Sequence, residues 1–212
     1  MLDNLPPVTR ALLLSNGAVF LLQMFMPGLF IDFMLWPWGE YPVRGTNLTV
    51  GFLPWQLISY GFLHGGLGHL FLNMFAVFMF GAAIEQLWGA QRFGIYYFAC
   101  VAGAGLVQLV VVSWSAQSGG GVYPTVGASG GVFGLLLAFA MFFPNQRIMM
   151  LFLPVPIKAK YFVLIYGAIE LLMGITNTQS GVAHFAHLGG MAFGFILIQY
   201  WRGRWPFERR PR

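Results

Sequence analysis

The composition of this chain excludes most classes of soluble protein. Its 212 residues are 58% hydrophobic and only 8% charged, whereas a soluble domain carries about 25% charged residues, which cover its surface. Disorder is excluded too, because disordered chains lack the many Phe, Leu, Val and Ile residues present here. The remaining class is a helical protein that crosses a membrane several times.

Six apolar stretches follow one another along the chain, and none has the period of two that marks a barrel strand. At about 20 residues per span, six spans leave no room for a large soluble domain. The chain is therefore predicted to be one membrane domain, 1–212, ending in a basic cytoplasmic tail, 202–212. The predicted helices cover approximately 11–27, 62–84, 93–114, 129–143, 161–176 and 184–201.

Basic residues predict how these spans are oriented. With a cytoplasmic N-terminus, all of the 11 Lys and Arg residues except Arg44 fall in inside segments. Such an asymmetry is typical of a multi-pass protein of the cell membrane with both termini inside. Because topology accounts for the net charge of +5, a nucleic-acid partner is not expected.

The segment between the first two spans, 29–61, is unusually aromatic for an outer loop. Aromatic side chains of this kind settle at the headgroup level of a bilayer, so we expect an outer loop embedded in the outer leaflet. The aromatic residues concerned are Trp36, Trp38, Tyr41, Trp55 and Tyr60.

Polar side chains gather at the outer ends of the second, fourth and sixth spans, where they are costly and often functional. The fourth span, 129–143, is only about 22 Å long against a hydrocarbon core of about 30 Å. The Gly-rich segment before it must therefore enter the membrane and line a hydrated pocket that opens outward. The polar residues are His64, His69, Asn73, Ser129, His184 and His187.

Ser129 lies in the sequence GASG at the start of the fourth span. Flanking glycines permit close approach, and a helix start stabilises developing negative charge. Small-residue stripes on the fourth and sixth spans would, if they face each other, bring Ser129 to His187 and form an activated nucleophile. The alternative is a packing turn in which Ser129 only caps the helix. The stripes are Gly130, Gly134 and Ala138, and Ala186, Gly190 and Gly194.

Other polar residues leave more than one interpretation open. His69 and Asn73 share a helix face and could donate to an oxyanion or join helices as polar contacts. Glu170 is placed mid-span and deeper than the histidines, as a third triad member, a proton relay or, as we favour, a structural carboxyl. Because no carboxylate lies close in sequence to His184 and His187, no metal is expected.

Three motifs, HGGLGHLFLN (64–73), GASG (127–130) and AHLGGMAFG (186–194), resemble those of the rhomboid family of intramembrane serine proteases, in the family's order. The resemblance implies an all-α, six-helix rhomboid-like bundle with a Ser129–His187 dyad and no third acid. His69, Asn73 and the Ser129 backbone N–H would form the oxyanion hole. Supporting positions would be Gly127, Gly130, Phe133, Gly190 and Gly194, with Phe133 stacked on the catalytic histidine.

The resemblance also implies what the protein acts on. Its partners would be transmembrane-helix substrates, cleaved near the outer face, and membrane lipids, with no cofactor and an unknown oligomeric state. Gln56 stands where some members have Arg, which could alter how the outer loop is anchored. Alternative functions are a non-catalytic membrane-protein binder or chaperone on the same scaffold and, less favoured, a channel or transporter.

Overall fold

A computed structural model describes residues 4–43, 48–149, 155–176 and 182–204. Arg44 and the tail from residue 205 onward lie outside the described residues. The helices are α1 (Pro7–Phe25), α2 (Gln56–Ser59), α3 (Leu67–Ala76), α4 (Ala82–Trp88), α5 (Ala90–Gln117), α6 (Ser129–Phe142), α7 (Ala159–Thr176) and α8 (His184–Trp201).

Shorter elements connect these helices. A π-helical segment, Val77–Gly81, joins α3 and α4 into one continuous helix, and 3-10 segments occupy Pro27–Phe33 and Tyr60–Phe62. Two small antiparallel hairpins complete the described fold. They pair β1 (Glu40–Pro42) with β2 (Thr49–Gly51), and β3 (Arg147–Ile148) with β4 (Ile157–Lys158).

The described chain is mostly helical, and four of its helices are long and apolar enough to cross a membrane. They are α1, the joined α3–α4, α5 and α7, so the protein is a multi-pass membrane protein. Helix α6 is apolar but shorter, with 14 residues. Helix α8 has 18 residues, and two histidines in its first turn lower its hydropathy.

The edges of the predicted second and third helices were wrong by several residues. The second begins at Leu67 rather than near 62, because the chain first passes through a 3-10 turn and then Gly65 and Gly66. It continues past its apolar run to Trp88, and α5 begins at Ala90 after a turn at Gly89, whose φ is +80°. Helical hydrogen bonds tolerate polar side chains, so hydropathy alone misplaces such ends.

Helices α5, α6 and α8 pack at the centre of the bundle, where small residues allow their backbones to approach. A Cβ at Gly190 of α8 would overlap the carbonyl oxygen of Gly130 in α6. This close approach of Gly190 and Gly130 fixes α8 against α6. Helix α5 is joined to α6 by the Tyr96 hydroxyl, which donates to the Gly134 carbonyl oxygen at 2.7 Å. Gly194, in contrast, faces Tyr96 and Cys100 of α5 rather than α6.

The segment before α3 is fastened by a buried amide. Gln56 is fully buried; its Oε1 accepts from the Trp36 N–H at 3.1 Å. Its Nε2 donates to the Asp32 and Gly51 carbonyl oxygens, both at 3.1 Å. The neutral amide therefore joins three parts of the segment through both its donor and acceptor groups.

Glu85, near the end of α4, holds the start of α1. Its Oε1 accepts from the Val8 N–H at 2.9 Å, and its Oε2 accepts from the Thr9 N–H at 2.7 Å and from the Thr9 hydroxyl at 2.8 Å. Glu85 is therefore a structural tie between α4 and the start of α1. The Arg92 guanidinium lies 4.4 Å from the Trp201 ring centroid.

Candidate active site

Ser129 and His187 lie side by side at the first turns of α6 and α8. The His187 Nε2 and Ser129 Oγ are 2.9 Å apart, a hydrogen-bonding distance. The close approach at Gly130 and Gly190 places these helix starts together, since each glycine follows its site residue within a turn. A hydroxyl bonded to an imidazole nitrogen is the arrangement from which a serine nucleophile can be activated.

The His187 ring is held flat against an aromatic side chain. Phe133, one turn after Ser129, stacks on it with ring centroids 4.2 Å apart and an interplanar angle of 5°. Tyr166 of α7 stacks on Phe133 in turn, at 5.1 Å. These stacked rings restrict the imidazole to an orientation in which Nε2 points at Ser129.

A carboxylate occupies the other edge of the same imidazole. Glu170 Oε2 lies 2.8 Å from His187 Nδ1 and 2.7 Å from His184 Nδ1, and all three side chains are buried. The expectation that Glu170 lies deeper than the histidines was therefore wrong. The contact joins residues 14 and 17 positions apart on two helices, and hydropathy along one helix does not report how neighbouring helices align.

His69 lies on the opposite side of Ser129, against Gly127. A Cβ on Gly127 would lie 2.8 Å from His69 Nε2 and 3.6 Å from Ser129 Oγ, and the Gly127 φ is +132°. Glycine is required here for both reasons. The Gly65 N–H lies 3.4 Å from His69 Nδ1 in a donor geometry, which leaves the proton on Nε2, beside Ser129.

Asn73 lies one turn further along the same helix as His69 and is buried. Its Nδ2 donates one hydrogen to the His69 carbonyl oxygen at 2.9 Å. This bond holds the amide against the His69 turn. The amide keeps a second hydrogen that it can donate.

His64 lies beside His69, with ring centroids 5.1 Å apart. It is 3% exposed, and both ring nitrogens lack a hydrogen-bond partner within the described part of the chain. Burial, together with the nearby His69, lowers the pKa of His64 to about 4. His64 is therefore a neutral buried neighbour of the site.

Comparisons with known proteins identify the family of this chain. The sequence model of the Rhomboid domain matches residues 52–204. The chain belongs to the rhomboid family.

Relatives of this rhomboid chain occur in plants and bacteria. RHOMBOID-like protein 4 of Arabidopsis thaliana is 33% identical over 144 residues, covering 68% of this chain and 33% of that protein. The Putative rhomboid protease YdcA of Bacillus subtilis is 32% identical over 165 residues, covering 73% of this chain and 71% of that protein. Rhomboid protease GluP of the same bacterium is 29% identical over 142 residues, covering 67% of this chain and 25% of that protein. Alignment to two Arabidopsis relatives spans only 33% and 42% of their length.

In this rhomboid chain, the histidine pair of α8 is not isolated from carboxylates. The ligand atoms of Glu170, His184 and His187 lie within 4.8 Å of one another. The argument against a metal had rested on the absence of a nearby acid, so that argument was wrong. The distances of 2.7 and 2.8 Å between nitrogen and oxygen are those of direct hydrogen bonds.

Sequence reasoning underestimated Glu170 and His184. The available signal was that Glu170 is the one acidic residue in the predicted fifth span, 161–176, which contains no Lys, Arg or His. A lone carboxyl within a span predicts a specific partner. Which partner it contacts depends on the packing of α7 against α8, where a Cβ on Gly174 would lie 3.3 Å from the His184 Cβ.

Proposed function

We propose that this rhomboid-family protein is an intramembrane serine endopeptidase. Ser129 is the nucleophile and His187 is the general base. The observation that carries the proposal is the 2.9 Å contact between Ser129 Oγ and His187 Nε2. Names of two relatives, YdcA and GluP, include the words rhomboid protease, which supports the same conclusion.

In the first half of the reaction, Ser129 Oγ attacks the carbonyl carbon of a peptide bond while His187 Nε2 takes the hydroxyl proton. The carbonyl electron pair moves onto oxygen. When the C–N bond breaks, the imidazolium returns the proton to the departing amine, and an acyl-enzyme remains. In the second half, His187 takes a proton from water as the water oxygen bonds to the acyl carbon. The bond between the acyl carbon and Ser129 Oγ then breaks, the imidazolium returns its proton to Oγ, and the acid product leaves.

Donors around Ser129 match the negative oxygen that forms in each half. The Ser129 N–H lies at the start of α6, where backbone N–H groups lack helical acceptors. His69 presents its Nε2 edge beside Gly127. With Asn73, these donors form the oxyanion hole, and each stabilises charge that is absent from the ground state.

The proposed substrates are transmembrane helices of other membrane proteins, cut near the outer face of a cell membrane. A six-span topology with both termini in the cytoplasm turns the starts of α6 and α8 outward, as the distribution of basic residues predicts. Lipids surround the site, and the mechanism above uses the chain's own side chains without a cofactor.

The direct test is cleavage of a labelled transmembrane-helix reporter by the full chain in liposomes. Ser129→Ala and His187→Ala are each expected to lower turnover by about 10⁴-fold or more, since each removes a group that acts only with the other. Ser15→Ala is the matched control, because that hydroxyl donates within α1 to the Leu12 carbonyl oxygen, and wild-type turnover is expected.

Two results would contradict the proposal. Full turnover by Ser129→Ala would show that Ser129 is not the nucleophile. Tight binding of the reporter by the wild-type chain with no cleavage under any condition would instead identify a non-catalytic binder on the same scaffold.

A further inference from the structure

We propose that Glu170 is a positioning residue for His187, so that this protein uses a Ser–His–Glu arrangement instead of a dyad. The inference rests on the proposed protease function. It is carried by one carboxylate oxygen, Glu170 Oε2, which lies 2.8 Å from His187 Nδ1 while His187 Nε2 contacts Ser129.

The first consequence is the tautomer of His187. An ionised carboxylate only accepts hydrogen bonds, so the proton of a neutral imidazole must be on Nδ1. Nε2 then presents a lone pair to the Ser129 hydroxyl at 2.9 Å. This is the tautomer that a general base requires, and without the carboxylate nothing in the contact would select it.

The second consequence is charge balance during the reaction. When Nε2 takes the serine proton, the imidazole becomes a cation. The Glu170 carboxylate lies in direct contact with its Nδ1–H, in a buried environment where such a charge pair is strong. Glu170 stays ionised throughout, and the proton it faces remains on Nδ1.

The third observation is that His184 anchors the same oxygen. Its Nδ1 lies 2.7 Å from Glu170 Oε2, so two imidazoles from one face of α8 converge on a carboxylate of α7. Two donors hold the acceptor in place better than one. Tyr166, one turn before Glu170, and His69, across the site, are the other titratable neighbours of the Glu170–His187 pair.

A purely structural role predicts something different. If Glu170 only joined α7 to α8, its loss would lower stability and leave the chemistry of His187 unchanged. Glu85 is a built-in example of such a residue, since it is equally buried and bonds to backbone and threonine donors. It provides the matched control for the experiment.

The experiment compares Glu170→Gln with Glu85→Gln in the full chain, using the transmembrane reporter in liposomes. Glu170→Gln is expected to lower kcat by about 10³-fold with little change in KM, because a neutral amide can donate to Nδ1 and place the imidazole proton on Nε2. Glu170→Asp keeps a carboxylate and is expected to retain more activity. Glu85→Gln is expected to keep kcat within about twofold.

The pH profile separates positioning from packing. Loss of the carboxylate charge is expected to move the acidic limb of kcat/KM to lower pH in Glu170→Gln, because the charged imidazole loses its partner. No displacement is expected for Glu85→Gln. An unchanged pH profile and a wild-type kcat in Glu170→Gln, with Ser129→Ala inactive, would overturn the inference and leave the proposed protease intact.

A spectroscopic measurement decides the matter even if no reporter is cleaved. The chain has 4 histidines, so ¹⁵N-histidine NMR can assign the His187 tautomer. Protonation at Nδ1 in the wild type, lost in Glu170→Gln, supports the inference. Protonation at Nε2 in the wild type overturns it. Loss of activity on adding a chelator, with recovery on adding zinc, would also overturn the inference. It would show that Glu170, His184 and His187 bind a metal ion.

Discussion

Two carboxylates, Glu85 and Glu170, are almost completely buried, with 2% and 5% of their surface exposed. They lie at opposite ends of the bundle, since Ser129 begins α6 and Trp88, close to Glu85, packs against Phe142 at its end. Glu85 bonds to two backbone N–H groups and a hydroxyl, whereas Glu170 contacts two imidazoles. Burial alone therefore says nothing about role, and the chemistry of the partners decides it.

At the Glu85 end, the hydrogen-bond donors are two backbone N–H groups and the Thr9 hydroxyl, none of which titrates near neutral pH. The N–H groups of Val8 and Thr9 belong to the first turn of α1, where they lack helical acceptors, and the helix dipole favours a negative charge. Glu85 thus caps α1 from 76 residues away. At the Ser129 end, Glu170 instead contacts two imidazoles, and one of them contacts the Ser129 hydroxyl.

The largest further effect on turnover is expected from His69→Ala, at the Ser129 end. Removing one oxyanion donor costs about 10²-fold in kcat, whereas stability should change little. Asn73→Ala is expected to have a smaller effect, because one of its hydrogens already donates to the His69 carbonyl oxygen. Kinetics with the transmembrane reporter measure both, and near-normal kcat in both variants would reassign these side chains to helix packing.

The smallest effect on turnover is expected from Glu85→Gln, which should instead lower the free energy of unfolding. The amide would present hydrogens to the donors of Val8 and Thr9, so charge-assisted bonds worth about 2–3 kcal/mol would be lost. Reversible unfolding in a fixed detergent measures this change. An unfolding free energy equal to that of the wild type, or a loss of kcat in fully folded protein, would break the contrast with Glu170.

Much of the site could be predicted from local sequence. Hydropathy located the helix starts at Ser129 and His184, and the small residues Gly130 and Gly190 indicated how α6 and α8 approach. Both signals are local, since a span and a helix face are each defined within one segment. The supporting residue Phe133 followed from family resemblance and stacks on His187 as expected.

The partners of the two glutamates could not be predicted in the same way. Each contact joins separate helices, and the depth of Glu170 relative to His187 depends on how far α7 is shifted along α8. A mid-span position on one helix leaves that shift undetermined. The resemblance implied a dyad without an acid, so it gave no reason to look for a carboxylate beside His187.

The most direct test of the central claim is labelling of the folded chain by a fluorophosphonate, followed by mass spectrometry of the modified peptide. The account predicts a single adduct on Ser129, formed in the wild type and lost in His187→Ala, because only an activated hydroxyl attacks the phosphorus. An adduct on another residue, or equal labelling of Ser129 without His187, would contradict it.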